Sequence, residues 1–416
     1  MKRISFLLIV VLFTEAVTGQ ASKFITVKGK EIIGANGKPM LIRGTNLGNW
    51  LVPEGYMFKF KNTNSPKMIS ETITQVLGPE YTSLFWKKYL ENYITESDIH
   101  FLKSIGVNSV RVPFHYRLFT NEDYLGVNDS SRGFVLLDNI IKWCKKEGLY
   151  VILDMHCAPA GQTGDNIDDS YGYPFLFESE TAQKQTISIW TSIAAHYVDE
   201  PAVMGYDLLN EPIAHYFDSS KLNHLLEPFY KRLVNEIRKS DTNHLIFLGG
   251  AQWNTNFKVF GKPFDSKAVY TFHKYRDLPN FGSIKRFLDF REKYNVPIYI
   301  GETGENTDEW IQAFRILLEN NHVGWHFWPY KKAESSKNII TFKLSPAYDS
   351  LVSFAESTRS SYKEIRSLTP NRALIKQALD ALADNCLFEN CVINQGYIEA
   401  LGLSAQKEIA AGEQQY

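Results

Sequence analysis

The chain runs to 416 residues, room for one large α/β barrel or for two average domains. Hydrophobic residues supply 44%, charged residues 22%, and the formal net charge is −1, a balance without the basic excess of a nucleic-acid binder, so no nucleic-acid partner is expected. Aromatic residues at 14% suit a sugar cleft, where a pyranose face packs on a ring while a phenol or indole bonds hydroxyls, although most rings belong to the core.

Lys2-Arg3, the apolar Ile4–Phe13 and small residues around Ala16-Val17-Thr18-Gly19 form the three parts of a secretory signal. Residues 1–19 are therefore expected to be removed near Gly19 or Ala21. No later run approaches about 18 apolar residues, the length a bilayer demands, so no membrane span is expected. The mature protein should be soluble and secreted, extracellular or periplasmic, and a monomer is the expected state. Phe24 to Met40 alternate apolar and polar around Gly29-Lys30 and Asn36-Gly37, which predicts a hairpin over residues 20–39 that caps one end of a barrel.

From there apolar runs recur with helical patterns between them. The runs are Met40–Asn46, Val107–Pro113, Leu149–Met155, Val203–Leu209, His244–Leu248, Ala268–Phe272, Pro297–Ile300 and His322–Trp328. Apolar residues three and four apart predict helices over Glu96–Ile105, Val135–Glu147, Glu180–Val198, Leu225–Ser240, Ile284–Tyr294 and Asp308–Asn320. Strands alternating with helices imply a parallel (β/α)₈ barrel over residues 40–368. A doubly wound open sheet would want a Gly-rich phosphate fingerprint after an early strand, and none is present. Two insertions, Val52–Tyr93 and Cys157–Glu178, leave the end of the barrel where such folds keep their active sites. Beyond Tyr330, helical segments are expected around Ser345–Leu368 and Asn371–Leu382, and residues 369–416 read as a helical extension and a polar tail.

The chemistry is written at the strand ends. Leu208-Leu209-Asn210-Glu211-Pro212 ends an apolar run in an amide, a carboxylate and a residue that cannot continue a ladder. Ile298-Tyr299-Ile300-Gly301-Glu302-Thr303-Gly304 repeats the design. Two glutamates ending two strands are what glycoside hydrolysis needs: one carboxyl protonates the leaving oxygen and the other, ionised, attacks the anomeric carbon, with the pair about 5–5.5 Å apart for retention. A lone Asn-Glu-Pro could equally be a helix cap or a loop ion pair; the second glutamate weighs against that. The other strand ends are also polar: Asn46 with Trp50 and Glu54 beyond it, Arg111 with His115, Asp154 with His156, Gln252-Trp253, His273 with Tyr275, and Trp328 with Lys331.

Val110-Arg111-Val112-Pro113, Leu153-Asp154-Met155-His156, Asn210-Glu211-Pro212, His273-Lys274-Tyr275, Gly301-Glu302 and Gly324-Trp325-His326-Phe327-Trp328, in this order, resemble glycoside hydrolase family 5, the cellulase-type retaining (β/α)₈ enzymes. The resemblance covers roughly Asn46 to Trp328 and implies Glu211 as acid/base and Glu302 as nucleophile. Arg111 and Tyr275 would hold Glu302 ionised, and a negative Glu302 would raise the Glu211 pKa. Asn210 would bond the sugar 2-hydroxyl, His156 and His273 would donate to hydroxyls or carboxylates, and Trp328 would floor the scissile sugar. Arg43 to Glu54 is similar to the first-strand signature of the exo-β-1,3-glucanase branch, where an acid at the place of Glu54 bonds the terminal glucose. Ala158 to Gly164 also resembles that branch, but Asp165-Asn166-Ile167-Asp168-Asp169 continues differently and reads as a solvated loop rather than a calcium loop.

The expected function is a secreted retaining β-glucan hydrolase of endoglucanase type, acting on a β-glucan polysaccharide or oligosaccharide, with Trp50, Trp253 and Tyr173 lining an open groove. The alternatives are an exo-β-1,3-glucanase, a mannan- or xyloglucan-directed member of the same family, and an inactive carbohydrate-binding barrel. No cofactor and no metal are expected, since the four cysteines have no zinc spacing. Cys386 and Cys391 are the expected disulfide pair, with Cys144 and Cys157 free and Cys157 near the cleft.

Overall fold

The computed structural model describes residues 23–404; the expected signal peptide and the end of the tail lie outside the described residues. The strands β1 (Arg43–Asn46), β2 (Ser109–His115), β3 (Tyr150–Cys157), β4 (Val203–Asp207), β5 (Leu245–Gly249), β6 (Ala268–His273), β7 (Ile298–Gly304) and β8 (Gly324–Trp328) close into a parallel barrel in sequence order, with β8 pairing β1. Nearly every residue from β2 to β8 is buried, because helices cover the outer face while side chains fill the inside. That two-sided burial is why the runs read as continuous apolar stretches.

Local chemistry sets the helix starts. Thr307 Oγ1 accepts from Trp310 N at 3.4 Å ahead of Asp308–Asn320, and Ser179 Oγ from Ala182 N at 3.2 Å ahead of Glu180–Tyr197. At the head of Glu96–Ser104, Thr95 N donates to Asp98 Oδ2 at 2.7 Å. Three helices begin earlier than their periodicity suggests, the one expected from Ile284 starting at Phe281. Ser219–Ile237 starts at an Asp218 cap and carries Pro228 inside it, which breaks the apolar pattern without ending the helix. Arg132–Glu147 likewise gains a turn before Val135.

The hairpin pairs Thr26–Lys28 with Glu31–Ile33, and Ile25 and Ile32 pack on Ile42, Ile152, Met204, Leu245, Phe247, Val269 and Tyr299, plugging the bottom of the barrel. The insertion Val52–Tyr93 contains the helices Pro66–Leu77 and Pro79–Tyr93 rather than irregular loop. The helix Arg372–Asn385 packs against both, and Val392–Ile393 adds a strand beside Ile340–Phe342 and Lys331–Ala333. Buried Lys331 ties these pieces together, reaching Asp98 Oδ1 at 2.8 Å, Tyr93 O at 2.6 Å and Cys386 O at 2.7 Å. Lys331 is therefore a structural residue. The expected Cys386–Cys391 disulfide is corrected: all four cysteines are thiols, with Cys386 Sγ turned to Ala383 O and Cys391 Sγ to Leu387 O.

Candidate active site

Arg111, fully buried near the top of β2, is the hub. Its Nε donates to Asp207 Oδ2 at 2.9 Å, Nη1 to Asn46 Oδ1 at 3.0 Å and Glu302 Oε1 at 2.6 Å, and Nη2 to Asn210 Oδ1 at 3.0 Å, with Asp154 Oδ1 also 2.9 Å from Nη2. One rigid fork thus fixes five groups from four strands or their ends. Burial pushes the carboxyls of Asp154 and Asp207 upward against the pull of the guanidinium.

Glu302 closes the top of β7, where its other oxygen accepts from Tyr275 Oη at 2.8 Å. Opposite it, His273 Nδ1 lies 2.8 Å from Glu211 Oε1, and Asn254 Nδ2 donates to His273 Nε2 at 3.1 Å, which leaves the ring proton on Nδ1. The β6–β7 register shifts between Phe272 and His273, so that His273 stands opposite Glu302; such bulges re-aim side chains at barrel rims. Glu211 and Glu302 each bring an oxygen within 4.8 Å of the other. This is the close spacing of a retaining pair rather than the roughly 6.5–9.5 Å of an inverting one.

Burial governs the protonation of Glu211. Burial pushes Glu211 up to about 7, the charge of Asp165 adds to it, and His156 and Arg111 oppose it. The expected cause, a negative Glu302, is corrected to desolvation. Burial also lowers His156 to about 4 and His273 to about 3, so both rings are neutral at neutral pH. His156 Nδ1 donates to Asp154 Oδ2 at 2.8 Å and its Nε2 lies 3.3 Å from Asn210 Nδ2, which orients that amide.

A cavity of about 810 Å³ opens over these groups. Trp328 floors it, its indole lying so near Gly48 that a Cβ there would come within 2.5 Å of Cη2. Glu54 also lines it, 5% exposed and with Oε1 unpartnered among the described residues, together with Tyr56, whose hydroxyl accepts from Trp328 Nε1 at 2.7 Å. Lys332 covers the Tyr56 ring and pairs with Glu305 at 2.6 Å. Ile167, Trp253, Arg276, Asn306 and Lys337 complete the walls.

Two of the three aromatics expected along a groove are elsewhere. Trp50 is buried under the first insertion, donating from Nε1 to Leu90 O at 2.9 Å, and Tyr173 packs outside the cavity on Phe175 and Phe217. Cys157 is buried and does not itself line the cleft; its Sγ sits on the carbonyl of Ile167, which does. The aspartates of the third loop are not solvated: Asp168 accepts from Thr163 N at 2.9 Å and Gly164 N at 2.6 Å, while Asp169 Oδ2 lies 3.3 Å from His115 Nε2 and 3.4 Å from Arg117 Nη1. They fold the loop instead of binding calcium.

The sequence profile of the cellulase family, glycosyl hydrolase family 5, matches residues 69–334. The chain belongs to glycosyl hydrolase family 5. It is therefore a glycoside hydrolase of a retaining family. It is 33% identical over 256 residues to a beta-xylosidase of Phanerodontia chrysosporium, covering 61% of this chain and 52% of that protein. Endoglucanase C of Acetivibrio thermocellus is 26% identical over 313 residues, 60% of this chain and 88% of that one. A glucan 1,3-beta-glucosidase of Candida oleophila is 33% identical over 218 residues, 48% of each chain. The match thus spans about half of the first and third of these relatives. Among solved structures, an endogalactoceramidase superposes with a TM-score of 0.59 at 16% identity, covering 92% of this chain and 86% of that one, and a cellulase with 0.53 at 14%, covering 86% and 96%. These share the barrel fold.

In this family 5 chain, Glu211, His273 and Glu302 are also the one grouping among the described residues whose ligand atoms could hold a metal. The guanidinium on Glu302 and the N–H aimed at Glu211 put positive charge and a donor where a cation would sit. The set fits a proton-transferring carboxyl pair better.

Behind the site, Gln162 and Thr163 belong to the Ala158–Gly164 stretch, to which the sequence assigned no role at the site. Glu211 sits at φ 45° and Ile213 at φ 57°, left-handed conformations that cost on the order of 1 kcal/mol each. Gln162 and Thr163 hold that segment: Gln162 Nε2 donates to His156 O at 2.7 Å and Asn210 O at 2.8 Å, Thr163 Oγ1 to Glu211 O at 2.9 Å, and Ile213 N donates to Gln162 O at 2.8 Å. Gln162→Ala leaves two buried carbonyls without their donor, which should cost roughly 2–4 kcal/mol of stability. It should also lower kcat more than it changes KM. Denaturant unfolding and steady-state kinetics check both; wild-type values in each would show that the clamp does not position Glu211.

Proposed function

We propose that this family 5 hydrolase is a secreted exo-acting β-glucan hydrolase that removes terminal glucosyl units with retention. The observation that carries exo action is Glu54, a buried carboxyl on the cavity wall whose Oε1 has no partner among the described residues, with Tyr56, Lys332 and Glu305 on the same wall. Such a group of buried hydrogen-bonding side chains suits the hydroxyls of a terminal sugar. The likeness to the Candida glucosidase supports the β-1,3 linkage, and the apolar leader before Ala21 supports secretion.

In the first step a Glu302 oxygen attacks the anomeric carbon as the glycosidic bond breaks toward its oxygen, and Glu211 delivers its proton to that leaving group. Arg111 and Tyr275 donate to the two Glu302 oxygens and stabilise the carboxylate again when it departs. Glu211, having given its proton to the leaving group, is left as the carboxylate that the second step needs. In the second step Glu211 takes a proton from water, whose oxygen displaces Glu302 from the same carbon. Asn210, fixed by Arg111 and His156, bonds the sugar 2-hydroxyl, a contact that strengthens as positive charge grows on the ring.

The test follows glucose release and viscosity together on a soluble β-1,3-glucan. Steady glucose release with little early loss of viscosity is expected; a rapid fall in viscosity with oligosaccharide products would establish endo cleavage instead.

A further inference from the structure

Trp253 lines the cavity that also holds Glu54, Glu211 and Glu302. Gln252, Trp253 and Asn254 have φ values of 51°, 60° and 57°, three successive left-handed residues without a glycine. Such a turn is unfavourable on its own, of order 1 kcal/mol or more per residue. It is held by Gln252 bonds to Asn223 at 2.8 and 3.1 Å and to Asn256 at 2.7 Å, and by the Asn254 bond to His273. Its result is an indole on the cavity wall whose buried Nε1–H has no partner among the described residues.

From Trp253 a line of rings leads outward. The His215 ring lies 6.4 Å from Trp253, Tyr216 5.3 Å from His215, Phe217 4.8 Å from Tyr216, Tyr173 5.4 Å from Phe217 and Phe175 4.7 Å from Tyr173. Tyr216 is 54% exposed and Phe175 42%. The tyrosine hydroxyls are tied down, Tyr216 to Asp165 Oδ2 at 2.6 Å and Tyr173 to Glu178 Oε1 at 2.9 Å. Rings anchored by their edges give up little conformational freedom on binding.

We propose that this ridge binds the leaving-group portion of a neutral β-linked sugar chain, the part of the polymer beyond the scissile bond. The inference rests on the reading of the cleft as a glucan-hydrolysing site. The side follows from Glu211, whose proton goes to the leaving oxygen and whose own segment continues into His215, Tyr216 and Phe217. The occupant follows from the chemistry of the ridge. Its rings alternate with the carboxylates Asp165 and Glu178, which bond sugar hydroxyls but would be stranded against a hydrocarbon chain and would repel an anionic polymer.

The test compares kcat/KM of the full chain and of Tyr216→Ala on β-1,3-gluco-oligosaccharides of two to six units, on 4-nitrophenyl β-glucoside and on an alkyl β-glucoside. In the variant the ratio of hexasaccharide to aryl glucoside should fall about three- to tenfold, the loss of one aromatic platform, and the deficit should grow with chain length. Tyr362→Ala, which removes an 82% exposed ring far along the chain, serves as the control with an unchanged ratio. An unchanged ratio in Tyr216→Ala overturns the ridge alone. A larger loss on the alkyl glucoside assigns the ridge to an apolar aglycone and overturns the sugar-chain assignment. A wild-type enzyme that cleaves the aryl glucoside but none of the oligosaccharides overturns both the ridge and the glucan reading.

Discussion

Glu302→Gln is expected to lower kcat/KM on a β-1,3-gluco-oligosaccharide by on the order of 10⁴-fold or more, while sugar binding and thermal unfolding stay close to wild type. The size follows from the chemistry: an amide cannot form the covalent glycosyl intermediate, so the whole double displacement is lost rather than one contact within it. The preserved fold follows from the surroundings. Glutamine keeps an oxygen for Arg111 Nη1, now at 2.6 Å, although its NH₂ must replace the acceptor that Tyr275 Oη uses at 2.8 Å. One hydrogen bond is therefore compromised, worth about 1 kcal/mol. Steady-state kinetics with a binding measurement on the same preparation checks the outcome. Activity within a hundredfold of wild type would remove Glu302 from the nucleophile role.

The barrel was legible because its strands are buried on both faces and so spell uninterrupted apolar runs, and because each run stops at a polar residue that must face the site. Arg111, Asn210, Glu211, His273 and Glu302 all come together from that reading. Trp50 did not, since its closeness to Asn46 says nothing about the helix Pro79–Tyr93 that folds over it from forty residues away and receives its indole N–H at Leu90 O. The third loop misled for a similar reason: Asp168 and Asp169 look solvated in sequence, yet their partners are the loop's own amides and His115 on another strand. Gln162 was invisible because a glutamine gains its meaning only when Asn210 and His156 offer it their carbonyls. The cause of the Glu211 shift also needed coordinates, because burial is not readable from a carboxylate's neighbours in sequence.

Glu211→Gln should separate the two steps of the reaction. With its pKa pushed up to about 7 by burial, Glu211 is protonated below that pH in the free enzyme, so wild-type kcat/KM on an oligosaccharide should fall as pH rises through about 7. The sign is that of a required acid: activity is full below the raised pKa and lost above it. The amide that replaces the carboxyl does not titrate, so the variant should lose roughly 10²–10⁴-fold on the oligosaccharide and lose that alkaline limb with it. On a dinitrophenyl β-glucoside, whose leaving group departs without a proton, the first step survives, and the glycosyl enzyme then accumulates because no base activates water. Azide, a nucleophile that needs no deprotonation, should then restore turnover and yield the β-glycosyl azide, with the configuration set by two displacements at one carbon. If azide leaves the rate unchanged, or if the variant keeps a wild-type pH profile on the oligosaccharide, the acid/base lies in another residue.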